Sequence, residues 1–265
     1  MPVYGRVEHV QQLTPHLVRV VLGGEGLDGF AAGDFTDHYV KLAFPPPGAP
    51  YEVPFDPAEV RATLPREQWP VLRTYTVRSW EDGKLAIDFV VHGDTGVAGP
   101  WAQAAKPGDL LVLRGPGGAF RPDPEADWHL MAGDESAVPA IAVSLARVPE
   151  GVPVHVFLEV DGPADEMELT SPGALSISWL HRDADPGAPD LLLRAVEKLE
   201  FPAGRVCAFV HGEAVATRAL RKHLLGERAV PRADLSVSGY WRRTFTEDGW
   251  QSSKADWNRE VEADV

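Results

Sequence analysis

Cysteine, long apolar runs and basic charge are all scarce in this sequence. Its 265 residues include one cysteine, Cys207, so no intramolecular disulfide can form. The segment MPVYGRVEHV has no apolar run of signal-peptide length, and no stretch reaches the roughly 18 apolar residues of a membrane span. The sequence therefore predicts a protein without a membrane span, in a reducing, cytoplasmic setting.

Acidic residues outnumber basic ones, with 39 Asp and Glu against 25 Lys and Arg and a formal net charge of −14. A polyanion is repelled by such a surface unless a local basic face overrides the net charge, so we expect no nucleic-acid partner. Any anionic ligand would need a local cluster of arginines or lysines.

The first half of the chain consists of short β-like runs separated by Gly and Pro. Alternating apolar residues in 18–22, 74–78 and 85–91 favour half-buried antiparallel strands that close into a barrel. The Pro-containing segment 45–70 reads as an excursion between strands, outside the core.

From Trp128 onward, strand patterns alternate with helical ones. The predicted strands are 128–133, 152–160 and 204–212, and the helical stretches follow the first strand, surround 189–199 and cover 213–225. This alternation predicts a parallel sheet with ligands at the carboxyl ends of its strands. A cluster of Pro, Asp and Glu at 123–127 marks the expected boundary between the halves.

Two segments carry groups suited to a nucleotide. The strand RTYTVR (73–78) offers arginine forks, one aromatic ring and short hydroxyls, which match phosphates and a flat ring system. The turn AGDESAVPAIA places Ser136 as a candidate N-cap and Pro139 in the first helical turn. The dinucleotide fingerprint GxGxxG is absent from that turn, so an ordinary capped helix is the competing interpretation.

The order of these motifs resembles the siderophore-interacting protein family, the FAD-dependent ferric-siderophore reductases of the ferredoxin-reductase-like superfamily. The similarity includes RTYT, DFVVHG, GDESAVPAI, WLHR (179–182), HGEA (211–214) and SGYWRR (238–243). It implies an N-terminal antiparallel flavin-binding β barrel, followed by a parallel-sheet α/β domain that binds the nicotinamide nucleotide, and a C-terminal helix. The expected domains are 1–125 for FAD, 126–240 for NAD(P)H and 241–265 for a tail helix packing near the domain junction.

The resemblance also assigns cofactor contacts to residues of this chain, with FAD as cofactor and NAD(P)H as co-substrate. The cofactor-binding candidates are Arg73, Thr74, Tyr75, Thr76, Arg78, Asp88, His92, Gly93, Ala98, Gly99, Trp101, Asp134, Glu135 and Ser136. The run TGVAGPWA departs from the family's commoner G-x-A-S-x-W-A form, which leaves backbone contacts to the pyrophosphate but no hydroxyl at that position.

Candidates for the nicotinamide nucleotide are Glu159, Arg182 and Glu213. Glu159 could accept a hydrogen bond from a ribose 2′-OH, which favours NADH, whereas Arg182 could bind a 2′-phosphate, so the choice between NADH and NADPH stays open. Candidates for an anionic ferric siderophore are Trp241, Arg242, Arg243 and Lys254, with Lys41 as a weaker one.

Tail residues Trp250, Lys254, Trp257 and Val261 fall on one helical stripe, a pattern typical of packing. The sequence shows no HxxxH pair or other metal-ligand spacing and singles out no catalytic residue, so we expect no resident metal. We expect a monomer. Two alternatives remain: a flavin reductase with another acceptor, such as a quinone or an electron-transfer protein, and a nonenzymatic siderophore-binding module.

Overall fold

The computed structural model describes residues 2–93, 96–186, 188 and 190–264. The chain forms two compact units, Met1–Ala119 and Phe120–Val265. An antiparallel sheet of seven strands forms the first unit. The strands are β1 (Val3–Thr14), β2 (Leu17–Gly23), β3 (Tyr39–Phe44), β4 (Val71–Thr76), β5 (Ser79–Glu81), β6 (Lys84–Val90) and β7 (Leu110–Gly117). Two helices accompany them, α1 (Pro57–Thr63) and α2 (Ala98–Ala104).

The sheet curls back on itself. Its strand order is β4-β3-β7-β1-β2-β6-β5, so β4 and β5 stand at opposite ends although only Val77 and Arg78 separate them in the chain. The Arg78 N–H donates to the Ala86 carbonyl of β6 at 2.9 Å, which ties the two ends together. The predicted barrel-like architecture is therefore confirmed.

The inside of this sheet is filled by the alternating apolar residues that predicted it. Val18, Val20 and Leu22 of β2 are at most 2% exposed, and they pack with Ile87 and Phe89 of β6 in one cluster. Because side chains alternate between the two faces of a strand, the polar residues Arg19 of β2 and Asp88 of β6 lie on the opposite face of the sheet.

Segment 45–70 is not an excursion outside the core, contrary to the expectation from its prolines. Phe55 and Val60 are each 6% exposed and pack against Ala43 and Val112 in a second apolar cluster. Asp56 caps α1 by accepting from the Ala58 N–H at 2.7 Å, so the segment carries a helix whose apolar side covers the outer face of β3 and β7.

A parallel sheet of five strands forms the second unit, in the order β10-β9-β8-β11-β12. The strands are β8 (Trp128–Asp134), β9 (Pro153–Val160), β10 (Ala174–His181), β11 (Val206–Glu213) and β12 (Leu235–Trp241). The helices are α3 (Val138–Leu145), α4 (Leu191–Glu197), α5 (Ala214–Lys222) and α6 (Glu247–Ala263). The predicted parallel α/β sheet is confirmed.

Sequence patterns missed β10 and β12, which are the two edge strands of this sheet. Their sequences, ALSISWLH and LSVSGYW, alternate serines with apolar residues, and their side chains are mostly half-buried. An edge strand is paired on one side only, so it lacks the continuous apolar run of β11, in which every residue is buried.

The tail helix α6 packs on the second unit through its predicted stripe. Trp250, Trp257 and Val261 are buried together with Ala214 of α5, and the Trp250 indole N–H donates to the Tyr240 carbonyl at 3.0 Å. The stripe is confirmed, whereas the predicted domain limits and the packing of the tail near the domain junction stay predictions. Among the described residues, no helix combines the length and apolar content needed to cross a membrane.

Replacing Trp250 with alanine should lower the free energy of unfolding by about 3–5 kcal/mol, because a fully buried indole is lost together with its hydrogen bond. Urea titration followed by far-UV circular dichroism measures the change. Asn258→Ala, at an exposed position of the same helix, is the matched control and should change stability by less than about 0.5 kcal/mol. Equal effects of the two substitutions would contradict the packing role of Trp250.

Candidate cofactor-binding sites

An ion-pair cluster around a buried carboxylate joins β2 to β6 in the first unit. Arg19 and Asp88 are direct partners in the register of these strands, and the Arg19 Nε and Nη2 atoms lie 2.6 and 2.7 Å from the two carboxylate oxygens. Asp88 is 3% exposed. The Arg78 Nε lies 3.9 Å from the same carboxylate and is buried without a hydrogen-bond acceptor.

Two guanidinium groups and one carboxylate leave this cluster with an excess positive charge. The hydrogen bond to Asp88 raises the pKa of Arg19, whereas burial, followed by the charge of Arg19, lowers the pKa of Arg78. Arg78 is therefore the member of the cluster that would gain from an added anion.

The predicted flavin-holding strand β4 combines exposed and buried groups. The Tyr75 ring is half-buried, with its centroid 4.4 Å from that of Phe89. Thr74 is exposed and Thr76 is buried, while half-buried Arg73 donates from Nη1 to the Leu72 carbonyl at 2.9 Å. Arginines, a ring and hydroxyls thus lie along one strand and its extension.

The glycine-containing turn after β6 is described except for residues 94 and 95. His92 and Gly93 are exposed, and Gly93 has a φ of 57°, a left-handed conformation that suits glycine. Helix α2 begins at Ala98 and includes Gly99. Trp101 lies against Phe44 and Phe89, with ring centroids 5.6 and 5.7 Å apart, so its ring belongs largely to the core.

In the second unit, the carboxylate of Asp134 connects the carboxyl ends of three strands. Its Oδ1 accepts from the Ser136 N–H at 2.9 Å and from the Ser136 hydroxyl. Its Oδ2 accepts from the Glu213 N–H at 2.7 Å and from the Trp241 indole N–H at 2.9 Å. Burial raises the pKa of Asp134 in spite of these donors.

Ser136 is not the N-cap of α3, contrary to prediction. The capping position is Ala137, without a side-chain hydrogen bond, and the Ser136 hydroxyl is engaged by Asp134 instead. Pro139 does occupy the first helical turn as predicted. Glu213, by contrast, caps α5 by accepting from the N–H groups of Val215 and Ala216 at 2.7 and 3.0 Å.

Arg182, directly after β10, lies among carboxylates. Its guanidinium pairs with Glu135, which is 6% exposed, and its Nη1 lies 3.5 Å from Glu159 Oε1. Burial is the main cause that raises the pKa values of Glu135 and Glu159, and the charge of Arg182 opposes it. The nicotinamide candidates Glu159 and Arg182 are thus neighbours, whereas Glu213 is engaged at the start of α5.

Of the siderophore candidates, Trp241 donates a hydrogen bond to Asp134, and the two arginines contact different residues. The Arg242 guanidinium lies over the Phe245 ring, 4.5 Å from its centroid. The Arg243 N–H donates to Glu213 Oε1 at 3.0 Å, and its Nη2 is 4.0 Å from Glu159 Oε1. Lys254 lies over the Trp250 ring, with Nζ 5.9 Å from the centroid.

His211, near the end of β11, forms a buried polar chain in the same unit. Its Nδ1 is 2.9 Å from the Tyr240 hydroxyl and its Nε2 is 2.9 Å from the Ser236 hydroxyl. The ring stacks on Phe209, with centroids 3.7 Å apart. Burial, assisted by the charge of Lys254, lowers the pKa of His211 from 6.5 to about 3, so the ring is neutral at physiological pH.

Sequence reasoning missed Arg19 as a member of the cluster in the first unit. The available signal was a lone charge of opposite sign inside each of two neighbouring strands, Arg19 in VRVVL and Asp88 in LAIDFVV. Recognising these two charges as an ion pair requires the β2–β6 register, which places Arg19 and Asp88 opposite each other.

Comparison with known proteins places both units in one family. A model of the siderophore-interacting FAD-binding domain matches residues 6–120, and a model of the siderophore-interacting protein matches residues 126–244. An uncharacterized Mycobacterium tuberculosis protein is 43% identical over 93% of this chain and 92% of its own.

Relatives with named activities include two reductases. The ferric vibriobactin reductase of Vibrio cholerae is 38% identical over 91% of this chain and 90% of its own. The NADPH-dependent ferric-chelate reductase of Escherichia coli is 32% identical over 89% and 91%. The crystal structure of a siderophore utilization protein from T. fusca superposes with a TM-score of 0.78 at 41% identity, covering 92% of this chain and 94% of that one.

The buried His211 should make the protein less stable as the pH falls. The folded protein keeps this ring neutral down to about pH 3, whereas the unfolded chain takes up a proton below about 6.5, so stability contributed by His211 is lost as pH falls through that window. Between pH 7 and pH 5 this loss amounts to about 2 kcal/mol.

Urea unfolding at both pH values tests this prediction. His211→Asn should reduce the difference between pH 7 and pH 5 by that amount, whereas His9→Asn, at an exposed position of β1, should leave it unchanged. The same pH dependence in His211→Asn as in the unmodified protein would contradict it.

Proposed function

Because the chain belongs to the siderophore-interacting protein family, we propose that it is an FAD-dependent ferric-siderophore reductase that takes its electrons from NAD(P)H. The observation that carries this proposal is the match of the two family models to the two units, residues 6–120 and 126–244. The relatives named as ferric vibriobactin and ferric-chelate reductases, which align along most of the chain, support the same activity.

Reduction suits the release of iron from a siderophore. Hard oxygen ligands hold Fe(III) strongly and Fe(II) much less well, so one electron converts a tight complex into a loose one. FAD, when bound, supplies the conversion between the two-electron hydride donor and the one-electron acceptor. Iron is thus a substrate of the reaction, and the chain's own residues bind and orient the partners.

The first unit fits the phosphates of FAD. The buried Arg78 Nε lacks an acceptor, and the cluster with Arg19 and Asp88 has one guanidinium in excess, which together suit an anionic pyrophosphate. We assign Arg78 and Arg73 to the phosphates and the Tyr75 ring to the flavin. Asp88 then acts as a positioning residue, because Arg19 and Arg78 both lie against its carboxylate.

The carboxyl end of the parallel sheet fits the nicotinamide dinucleotide. Ligands of open parallel sheets bind at that end, where Glu135, Glu159 and Arg182 meet. Both carboxylate oxygens of Asp134, and both of Glu213, already accept hydrogen bonds from the protein. These two residues therefore shape the strand ends, and the backbone from Asp134 to Ser136 is left to approach the nucleotide.

Arg242 and Arg243 are the groups that we propose for the anionic siderophore complex. Both follow β12, Arg243 is exposed, and its guanidinium Nη2 lies 4.0 Å from Glu159 Oε1, at the outer limit of an ion pair. Lys254 and Trp241 lie on neighbouring elements of the same unit and are assigned supporting contacts. At physiological salt the Debye length of roughly 8 Å screens the remote acidic residues, so a few close cations decide the binding of an anion.

We further propose that the protein acts as a monomer in the cytoplasm. Its one cysteine, Cys207, is 6% exposed, and burial raises the pKa of the thiol, which suits a reducing compartment and an apolar packing role. Light scattering coupled to size-exclusion chromatography measures the mass of the particle.

The proposed activity predicts a specific spectroscopic sequence. Purified protein reconstituted with FAD should bleach near 450 nm on anaerobic addition of NAD(P)H and regain its colour on addition of a ferric catecholate complex, while ferrozine traps Fe(II) at two equivalents per flavin reoxidised. Omission of the dinucleotide is the control. Reoxidation by a quinone but not by the ferric complex would identify another acceptor, and failure to bind FAD would leave only a siderophore-binding module.

Arg78→Ala should weaken FAD binding by roughly 10- to 100-fold, since a charge-assisted hydrogen bond contributes about 1.5–3 kcal/mol. Arg73→Ala should also weaken it. Fluorescence titration of the apoprotein with FAD measures both dissociation constants, and Arg66→Ala, an exposed arginine of the same unit, is the charge-matched control. FAD binding by Arg78→Ala equal to that of the control would refute the assigned phosphate contact.

A further inference from the structure

At the ends of β8, β9 and β10, three carboxylates surround one guanidinium. The Arg182 Nη1 lies 3.1 Å from Glu135 Oε2 and 3.5 Å from Glu159 Oε1, and its Nε lies 3.8 Å from Asp161 Oδ1. The Glu135 carboxylate also meets the second guanidinium nitrogen, which makes that pair bidentate. Arg182 is therefore occupied by protein carboxylates along both edges of its fork.

Carboxylates exceed guanidinium groups in this cluster. The second cation, Arg243, is 4.0 Å from Glu159 Oε1, and its side chain is 49% exposed, so it screens Glu159 only in part. The Glu159 side chain is 9% exposed, and the residue pairs in register with Asp134 on β8 and with Leu180 on β10, so it lies between the ends of these two strands. Asp161, two residues further on, is 59% exposed and reaches solvent.

We propose that this carboxylate cluster, Glu135, Glu159 and Asp161 around Arg182, selects NADH over NADPH. The inference rests on the proposed function, which brings a nicotinamide dinucleotide to the carboxyl ends of these strands. An acidic side chain at the end of the second strand of such a sheet accepts a hydrogen bond from the ribose 2′-OH. Glu159 is the next-to-last residue of β9, the second strand of this unit in chain order, and Asp161 follows directly after the end of that strand.

A 2′-phosphate at the same position would be repelled by these carboxylates. Near neutral pH it carries a charge between roughly −1.5 and −2 and has mostly acceptor oxygens, so it cannot satisfy carboxylates that accept hydrogen bonds. Arg182 could bind the 2′-phosphate only by breaking its ion pairs with Glu135 and Glu159, which would leave two unpaired carboxylates next to the phosphate. The Escherichia coli relative is named for NADPH, so the inference separates this chain from that relative.

Binding of two fragments that differ only in the 2′-phosphate tests the inference independently of turnover. Isothermal titration of the FAD-loaded protein with 5′-AMP and with adenosine 2′,5′-bisphosphate should give a tighter dissociation constant for 5′-AMP, by about tenfold or more. Raising the salt from low to 0.5 M should narrow the gap, because the repulsion is electrostatic. Tighter binding of the bisphosphate would overturn the inference.

Anaerobic stopped-flow reduction of the flavin supplies the second test. The second-order rate constant with NADH should exceed that with NADPH, and Asp161→Asn and Glu159→Gln should each lower the ratio by several-fold. Asp161 is mostly exposed, so its substitution should affect the fold less than that of Glu159. Circular dichroism verifies that both variants are folded. Glu150→Gln, an exposed carboxylate in a turn of the same unit, is the control and should keep the ratio.

The outcomes distinguish this inference from the proposed function. Flavin reduction by NADPH equal to or faster than that by NADH would overturn the NADH selection and leave the reductase assignment standing. Flavin reduction by neither dinucleotide would overturn both. A ratio that favours NADH and falls in Asp161→Asn and Glu159→Gln, but not in Glu150→Gln, is the expected result.

Discussion

The buried carboxylate of Asp134 is the constraint on which the second unit depends. Four donors from Ser136, Glu213 and Trp241 converge on its two oxygens, so one side chain fixes the ends of β8, β11 and β12 relative to each other. The close approach requires Gly212, where a Cβ would lie 2.6 Å from Asp134 Oδ2. A carboxylate that is costly to bury is thus retained because it organises the edge at which ligands bind.

The local charge of the two clusters differs in sign, and neither local charge follows from the net charge of −14. In the first unit two guanidinium groups share Asp88, which leaves one positive charge in excess. In the second, three carboxylates share Arg182, which leaves an excess of negative charge and of hydrogen-bond acceptors. Groups only 3–4 Å apart act at full strength, whereas the surface charges that set the net value are screened.

Much of the fold was predictable because its signals are local. Alternation in β2 and β6 and the stripe Trp250, Trp257, Val261 are set by residues close in sequence, and the structure bears them out. The edge strands β10 and β12 were not predicted because serines interrupt their apolar residues, so that neither sequence contains a continuous apolar run.

The candidate sites were less predictable because their partners are distant in sequence. Asp88 meets Arg19, Asp134 meets Trp241, and Glu135 meets Arg182, and each pairing depends on a strand register that no single segment reveals. The sheet of the first unit brings such distant segments together too, since β1 pairs with β7 and Val3 lies opposite Leu113. During synthesis one edge of β1 can pair with β2 early, whereas its other edge stays unpaired until β7, the last strand of the unit, has been made.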